Sequence, residues 1–229
     1  MKQVKGILFD FNGTLFFDSE LHMRCFEEAF DKFGLPNRGR SFILQNIFGR
    51  TNAQIFGEVY LPNPTEEQIE EFELWKEGKY MEMIRREPDS FKLDSNVCEM
   101  LDYLKENSIP YCIATGSPLM NVEFYINELG IDRWFTMENI VYSDGTFPGK
   151  PCPDIYMIAA DRLGLKPCEC AVFEDGTSGI RAANSAGAAS VIAVWEEGFP
   201  SPIVGDAKVD AQYHSFAKWR EMLSALSLA

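Results

Sequence analysis

The 229-residue sequence is poor in histidine and has no cluster of positive charge. It contains 2 His and 21 Lys and Arg residues against 35 Asp and Glu residues, so its formal net charge is −14. Because a negative protein repels phosphate backbones and anionic lipids, we expect neither nucleic acid nor a membrane as a partner. An acidic protein that binds a phosphorylated small molecule needs a local cation or a metal to offset its own charge.

The sequence also lacks a complete set of zinc ligands. Its six cysteines are Cys25, Cys98, Cys112, Cys152, Cys168 and Cys170. Several lie in apolar runs such as 111–114, which predicts buried thiols in a reducing compartment. Cys168 and Cys170 form a C-x-C pair, but His22 and His214 are too few to complete a zinc site.

Long apolar runs are absent too. The apolar stretch after the first five residues ends at Asp10, so it lacks the core and cleavage site of a signal peptide. Because no run has the length of a membrane span, we expect a cytoplasmic protein. No segment signals a subunit interface, and we expect a monomer.

Short apolar segments alternate with helical patterns along most of the chain. The segments have the length of buried strands and cover 4–9, 110–114, 140–142, 171–173 and 190–194. Between them, Ser117 is a predicted N-cap before Pro118, and Pro153 with Asp154 opens another helix. This alternation predicts an α/β fold with a Rossmann-like parallel sheet, in which ligands bind beyond the carboxyl ends of the strands.

Residues 17–88 interrupt the alternation, because they contain helical patterns and no convincing strand. Two capping boxes, Thr51 with Gln54 and Thr65 with Gln68, open helices in this segment. We therefore predict an inserted α-helical cap domain over 17–88 and a catalytic core over 1–16 and 89–229.

Polar residues follow several predicted strands. Asp10 ends the first and is either a nucleophile, a metal ligand or an ordinary turn residue. Thr115 precedes the backbone amides of Gly116 and Ser117, which at a helix start attract anions. Two further features follow the same pattern and have a plainer alternative each. Lys150 is a fixed cation or a surface lysine. Glu174 with Asp175 bind a divalent cation, and the plainer alternative, compatible with a metal, is that Asp175 or Thr177 is a helix N-cap.

In this order, these elements resemble the four motifs of the haloacid-dehalogenase-like hydrolase superfamily. The resemblance is to its branch of β-phosphoglucomutase and sugar-phosphate phosphatases, and covers nearly the whole chain. The matching stretches are Asp10-Phe11-Asn12-Gly13-Thr14-Leu15, Thr115, Gly149-Lys150-Pro151-x-Pro153-Asp154, and Phe173-Glu174-Asp175 through Gly179 to Gly187.

The resemblance implies that Asp10 attacks phosphorus and forms an aspartyl-phosphate. It further implies Mg²⁺ held by Asp10, the backbone carbonyl of Asn12, Asp175, and Glu174 through water. Thr115 and Lys150 would bind the phosphoryl oxygens, next to Gly116 and Ser117.

Asn12 departs from the family pattern, which usually has a second aspartate at this position to carry a proton. An amide neither gives nor takes a proton at neutral pH. Three interpretations remain open: an enzyme with a good leaving group or another proton carrier, an engineered variant of an aspartate enzyme, and a phospholigand-binding protein with little catalysis.

The predicted cap offers three substrate-binding candidates. His22 and Lys76 resemble positions that the mutase-like branch uses, and Arg50 lies in a loop, 49–52, that resembles its substrate-facing loop. Each has a plain alternative: His22 packs at the hinge, Lys76 extends to solvent, and Arg50 is an ordinary surface residue. The sequence thus predicts a Mg²⁺-dependent phosphatase of a small phosphorylated metabolite, a sugar phosphate, with a phosphomutase as the alternative enzyme.

Overall fold

The computed structural model describes residues 3–47, 50–60 and 63–229. The chain forms two compact units: Met1–Phe17 with Leu93–Ala229, and Asp18–Lys92. The sequence placed the boundaries after residues 16 and 88. Within the described ranges, no helix is both long and apolar enough to cross a bilayer.

The first unit contains a six-stranded parallel sheet. The strands are β1 Gly6–Phe9, β2 Tyr111–Ala114, β3 Ile140–Val141, β4 Cys170–Glu174, β5 Ser190–Val194 and β6 Ala211–Tyr213. Their order in the sheet is β3-β2-β1-β4-β5-β6. The chain adds β2 and β3 on one side of β1 and then β4 to β6 on the other, so the order reverses beside β1. A crevice at such a reversal is where α/β sheets bind ligands.

Helices pack around this sheet, which is why its central strands are apolar except for Glu174 at the end of β4. Every residue of β1, β2 and β4 is buried, as expected when both faces of a parallel sheet are covered. The predicted α/β fold is therefore confirmed. The helices of this unit are α5 Ser95–Glu106, α6 Leu119–Glu128, α7 Asp154–Arg162, α8 Thr177–Ala186 and α9 Trp219–Ala225.

The second unit is built from helices, and its described residues contain no strand. Both predicted capping boxes are present. The side chains of Thr51 and Thr65 each accept from the backbone amide of the glutamine three residues later, and the backbone amide of each threonine donates to that glutamine side chain. The helix after Thr51 continues as a π-helical segment, Ile55–Tyr60. The α-helices are α1 Ser19–Phe33, α2 Arg40–Asn46, α3 Asn52–Gln54 and α4 Glu66–Arg86.

Two local predictions are wrong. Ser117 does not begin α6, because Pro118 is the N-cap residue with extended backbone and the helix starts at Leu119. The cysteines are not uniformly buried: Cys168 is exposed, and Cys98 and Cys152 are half-buried. Cys168 lies outside strand β4, in the short turn that precedes it, and a turn leaves side chains open to solvent.

Candidate active site

The carboxyl ends of β1 and β4 bring acidic side chains together. Phe9 pairs with Phe173 across these strands, so Asp10 comes level with Glu174, and the Asp10 amide donates to the Phe173 carbonyl at 3.0 Å. Carboxylate oxygens of Asp10, Glu174 and Asp175 lie within 4.8 Å of one another. Three carboxylates this close repel strongly unless cations offset their charge.

Lys150 supplies one such cation. Its Nζ donates to Asp10 Oδ1 at 2.5 Å and to Glu174 Oε1 at 2.6 Å, and the residue is only 6% exposed. Burial acts to lower the pKa of Lys150, but the Asp10 and Glu174 carboxylates outweigh burial and raise that pKa above its usual value. Lys150 therefore stays charged at neutral pH, and its alternative as a surface lysine is wrong.

Glu174 has a donor on each carboxylate oxygen. Oε1 accepts from Lys150 and, at 2.9 Å, from the Tyr156 hydroxyl, while Oε2 accepts from the Gly176 amide at 2.7 Å. Burial and the nearby carboxylates raise the pKa of Tyr156 well above its ordinary value, so its hydroxyl remains a donor. A Cβ on Gly179 would lie 1.6 Å from Glu174 Oε1, so only glycine leaves room for this carboxylate.

Asp175 lies against the turn that follows β1. Its Oδ1 accepts from the Thr14 hydroxyl at 3.2 Å. Gly13 has a left-handed backbone with φ 78°, and a Cβ there would come within 2.0 Å of Asp175 Oδ2. The plainer prediction, that Asp175 or Thr177 caps α8, is wrong. The N-cap residue is Gly176, and the Thr177 hydroxyl donates to the Pro202 carbonyl.

Thr115, Gly116 and Ser117 follow the end of β2. Thr115 is buried, and its amide donates to the Val141 carbonyl at 2.9 Å. The Ser117 amide donates to Thr115 Oγ1 at 3.1 Å, so it is engaged within the loop and is not the first amide of a helix. A Cβ on Gly116 would meet open space among the described residues.

Asn12 lies beside the same loop. Its Oδ1 accepts from the Ser117 hydroxyl at 2.8 Å, and its carboxamide also contacts the Tyr125 hydroxyl. The residue that replaces the family's proton carrier is therefore held by neutral hydroxyl groups of the first unit.

The remaining three candidates lie in the second unit, where Lys76 is only 4% exposed. Its Nζ is 2.8 Å from Glu77 Oε1, and it lies over the rings of Phe26 and Tyr80. The prediction that Lys76 extends to solvent is wrong, because a buried carboxylate and two aromatic faces hold its charge.

His22 and Arg50 differ in their surroundings. His22 Nε2 lies 3.1 Å from Asp18 Oδ2, and its ring stacks on Tyr80, which donates to the same oxygen at 2.6 Å. Arg50 is exposed, and Gly49 of the predicted loop lies outside the described residues. The roles of His22, Arg50 and Lys76 toward a substrate stay predictions.

Two residues that contact the site escaped the sequence analysis. Tyr125 and Tyr156 lie on α6 and α7, where their rings are buried like any core aromatic residue. A buried tyrosine needs a partner for its hydroxyl, so each was a candidate in principle. The sequence carries no signal that the partner is a site residue far away in the chain.

The acidic cluster fits a hard divalent cation. All its donors are carboxylate oxygens, the ligands that Mg²⁺ prefers. Asp10 and Asp175 come from two different loops at the sheet edge, and Glu174 ends β4 and contacts Lys150. These three residues could therefore hold such an ion.

Comparison with known proteins shows the family of this chain. The family model of the haloacid dehalogenase-like hydrolases matches residues 4–187. A phosphorylated carbohydrates phosphatase from Thermotoga maritima is 25% identical over 223 residues, which cover 97% of this chain and 98% of that protein.

Two solved structures share the fold over nearly the full length. A HAD hydrolase, family IA, variant 3, from Entamoeba histolytica is 33% identical with a TM-score of 0.81, covering 98% of this chain and 100% of that one. A mutant of CbbY from Rhodobacter sphaeroides, in complex with xylulose-(1,5)bisphosphate, is 26% identical with a TM-score of 0.75, covering 94% and 96%. This chain belongs to the haloacid dehalogenase-like hydrolase family.

Proposed function

We propose that this protein is a Mg²⁺-dependent phosphatase that hydrolyses a small phosphorylated metabolite, a sugar phosphate, through an aspartyl-phosphate on Asp10. The observation that carries the proposal is the contact of Asp10 with Lys150 inside a cluster of three carboxylates, two of which, Asp10 and Glu174, are buried. The relatives named as phosphatases support the enzyme class, and the phosphorylated carbohydrates phosphatase supports the substrate class.

The first step is attack by Asp10 on phosphorus. One carboxylate oxygen forms the new P–O bond, and the bond from phosphorus to the sugar oxygen breaks with its electron pair leaving on that oxygen. Lys150 keeps Asp10 ionised by its charge, which favours the nucleophilic form. Water then hydrolyses the aspartyl-phosphate, which returns Asp10 and releases inorganic phosphate.

Positive charge and polar donors stabilise the transferred group. Lys150 is held by Glu174, so it can remain beside the phosphoryl oxygens without a change of position. The Thr115 hydroxyl and the Gly116 amide supply further donors at the end of β2. Mg²⁺ held by Asp10, Asp175, the Asn12 carbonyl and, through water, Glu174 would neutralise charge on the phosphoryl oxygens.

Asn12 limits the proton transfers. Its carboxamide cannot protonate the leaving sugar oxygen or deprotonate water, so these steps rely on solvent or on another side chain. General acid-base help contributes roughly 10²–10⁴-fold in rate, so turnover is slow for ester leaving groups of high pKa. His22 is our candidate for an alternative proton carrier.

The test is phosphate release from a panel of sugar and nucleoside monophosphates, with Mg²⁺ and with a chelator. We expect Mg²⁺-dependent release from sugar phosphates and none from the Asp10→Ala variant. Conversion of a hexose 1-phosphate to its 6-phosphate without release would instead identify a phosphomutase. If phosphorylated ligands bind with Mg²⁺ but none is turned over, the enzyme proposal fails and a phospholigand sensor replaces it.

A further inference from the structure

The carboxamide of Asn12 lies between two hydroxyl groups. Ser117 Oγ donates to Asn12 Oδ1 at 2.8 Å, while the Tyr125 oxygen lies 3.0 Å from Nδ2 and 3.1 Å from Oδ1. The two hydroxyl oxygens are 3.3 Å apart. All three side chains therefore belong to one connected network at the end of β1 and β2.

Tyr125 is held firmly in this network. It is 1% exposed, and its ring centroid lies 4.4 Å from that of Phe11, the residue that directly precedes Asn12. On the same helix, Asn121 Nδ2 donates to the Tyr125 hydroxyl at 3.4 Å. The aromatic contact and the hydroxyl contact thus connect Tyr125 to two adjacent side chains of the turn after β1, those of Phe11 and Asn12.

The Tyr125 hydroxyl contacts both polar atoms of the carboxamide. It donates to Oδ1 at 3.1 Å and accepts from Nδ2 at 3.0 Å, while Ser117 donates to Oδ1 as well. A hydroxyl can donate and accept at once, so one oxygen holds both ends of the amide. Rotation of the amide plane would break both contacts, and a buried polar group without a partner is unfavourable.

We propose that Tyr125 is a positioning residue that fixes the orientation of the Asn12 carboxamide at the phosphoryl-transfer site. The proposal rests on the proposed function for its effect on turnover, but the contact itself is independent of it. It explains how an amide at the position of a proton carrier is held in a fixed plane. The Tyr125 hydroxyl acts through Asn12 and does not exchange a proton with the substrate.

The kinetic test is a double-mutant cycle of Tyr125→Phe and Asn12→Ala. We expect Tyr125→Phe to lower kcat roughly 3- to 10-fold with KM unchanged, the fold-change that corresponds to one lost hydrogen bond. In the Asn12→Ala background the same change should have no further effect, because the amide is gone. An equal loss in both backgrounds would mean a merely structural role and would overturn the proposal.

Tyr111→Phe is the matched control, since it also removes a buried tyrosine hydroxyl, one that donates to the Trp134 carbonyl at 3.1 Å. It should leave kcat unchanged. A loss equal to that of Tyr125→Phe would also overturn the proposal.

A second readout does not depend on activity. The side-chain NH₂ resonances of Asn12, identified by their loss in Asn12→Ala, should shift and exchange faster with solvent in Tyr125→Phe. If the parent turns over no phosphate ester, the proposed function fails, and these resonances alone decide the positioning contact. Asn12 resonances that are unchanged in Tyr125→Phe would overturn the proposal. If Tyr125→Phe does not fold, Asn12 NH₂ protons that exchange freely with solvent in the parent would overturn it.

Discussion

Lys150 donates to Asp10 at 2.5 Å, although 140 positions separate the two residues in the sequence. Both are buried, and Glu174 holds the other side of the same ammonium group at 2.6 Å. A buried lysine between two carboxylates offsets the free-energy cost of burying their negative charges. We make predictions for this cluster, for Asn12, where the chain departs from the family pattern, and for a second buried ion pair in the helical unit.

Replacing Lys150 by methionine should lower kcat by roughly 10²–10³-fold, the usual effect of removing one donor to a developing anion. The measurement is steady-state phosphate release with saturating Mg²⁺. Lys5→Met is the matched control, because Lys5 pairs with Glu169 on the exposed surface and the charge change is the same. Equal activity of Lys150→Met and Lys5→Met would remove Lys150 from catalysis.

Replacing Gly179 by alanine should displace Glu174, because the new Cβ would lie 1.6 Å from Oε1. Lys150 and Tyr156 then lose a partner, and we expect unfolding free energy to fall by about 1–3 kcal/mol together with turnover. Urea unfolding and phosphate release measure the two effects.

Gly78→Ala is the control for this change, since Gly78 also lies inside a helix and a Cβ there would meet open space among the described residues. Alanine should stabilise that helix by roughly 0.5–1 kcal/mol. The same gain at Gly179 would contradict the close approach of Glu174.

Replacing Glu77 by glutamine should make folding stability depend less on pH in the acidic range. Burial acts to raise the pKa of Glu77, but Lys76 and then His22 outweigh burial and lower that pKa below its ordinary 4.5. The folded state therefore binds fewer protons than the unfolded state, and stability falls as pH drops below about 4.5. Above that pH, Glu77→Gln should cost about 3 kcal/mol because Lys76 is left buried without its partner.

Thermal melts between neutral pH and pH about 3 test this prediction, in the range where acid groups titrate. Glu71→Gln is the control, because Glu71 is exposed on the same helix. If Glu77→Gln and the parent lose stability equally on acidification, Glu77 does not carry the effect.

Replacing Asn12 by aspartate should raise turnover by roughly 10²-fold or more, since it supplies the missing acid-base group. The side chains are nearly equal in size, and Ser117 and Tyr125 can both donate to a carboxylate. The added negative charge near Asp10 is offset when Mg²⁺ is bound. Phosphate release by Asn12→Asp is compared with the parent, and an Asp10→Ala/Asn12→Asp variant should stay inactive.

If the parent is active and Asn12→Asp is no faster, the site does not lack an acid-base group, which contradicts the prediction. The proton then has another carrier, and His22→Ala should lose activity.

The sequence predicted the family and the parallel sheet because strand-end motifs and buried apolar runs are local patterns. It missed β6, Ala211–Tyr213, since an exposed residue between two half-buried ones has no distinctive pattern. Ser117 does not cap α6, since the N-cap residue is Pro118, and the Ser117 hydroxyl instead donates to Asn12, 105 positions away. The contact of Tyr125 with Asn12 spans 113 positions, and no local pattern indicates which distant group a buried hydroxyl meets.

Asp175→Ala should weaken Mg²⁺ binding and leave the fold intact, because this carboxylate is half-buried at the sheet edge and does not belong to the apolar core. Calorimetric titration with Mg²⁺ measures the affinity, and circular dichroism checks the fold. Unchanged affinity in a folded variant would remove Asp175 from the ligand set.

The central claim is that Asp10 becomes phosphorylated during turnover. The direct measurement is an acid quench of enzyme, Mg²⁺ and sugar phosphate, followed by mass spectrometry of the peptide that contains Asp10. We expect the mass of one phosphoryl group on Asp10, its loss on longer incubation as phosphate is released, and its absence in Asp10→Ala. Turnover with Asp10 unmodified at every quench time, or with the phosphoryl group on another residue, would contradict the account.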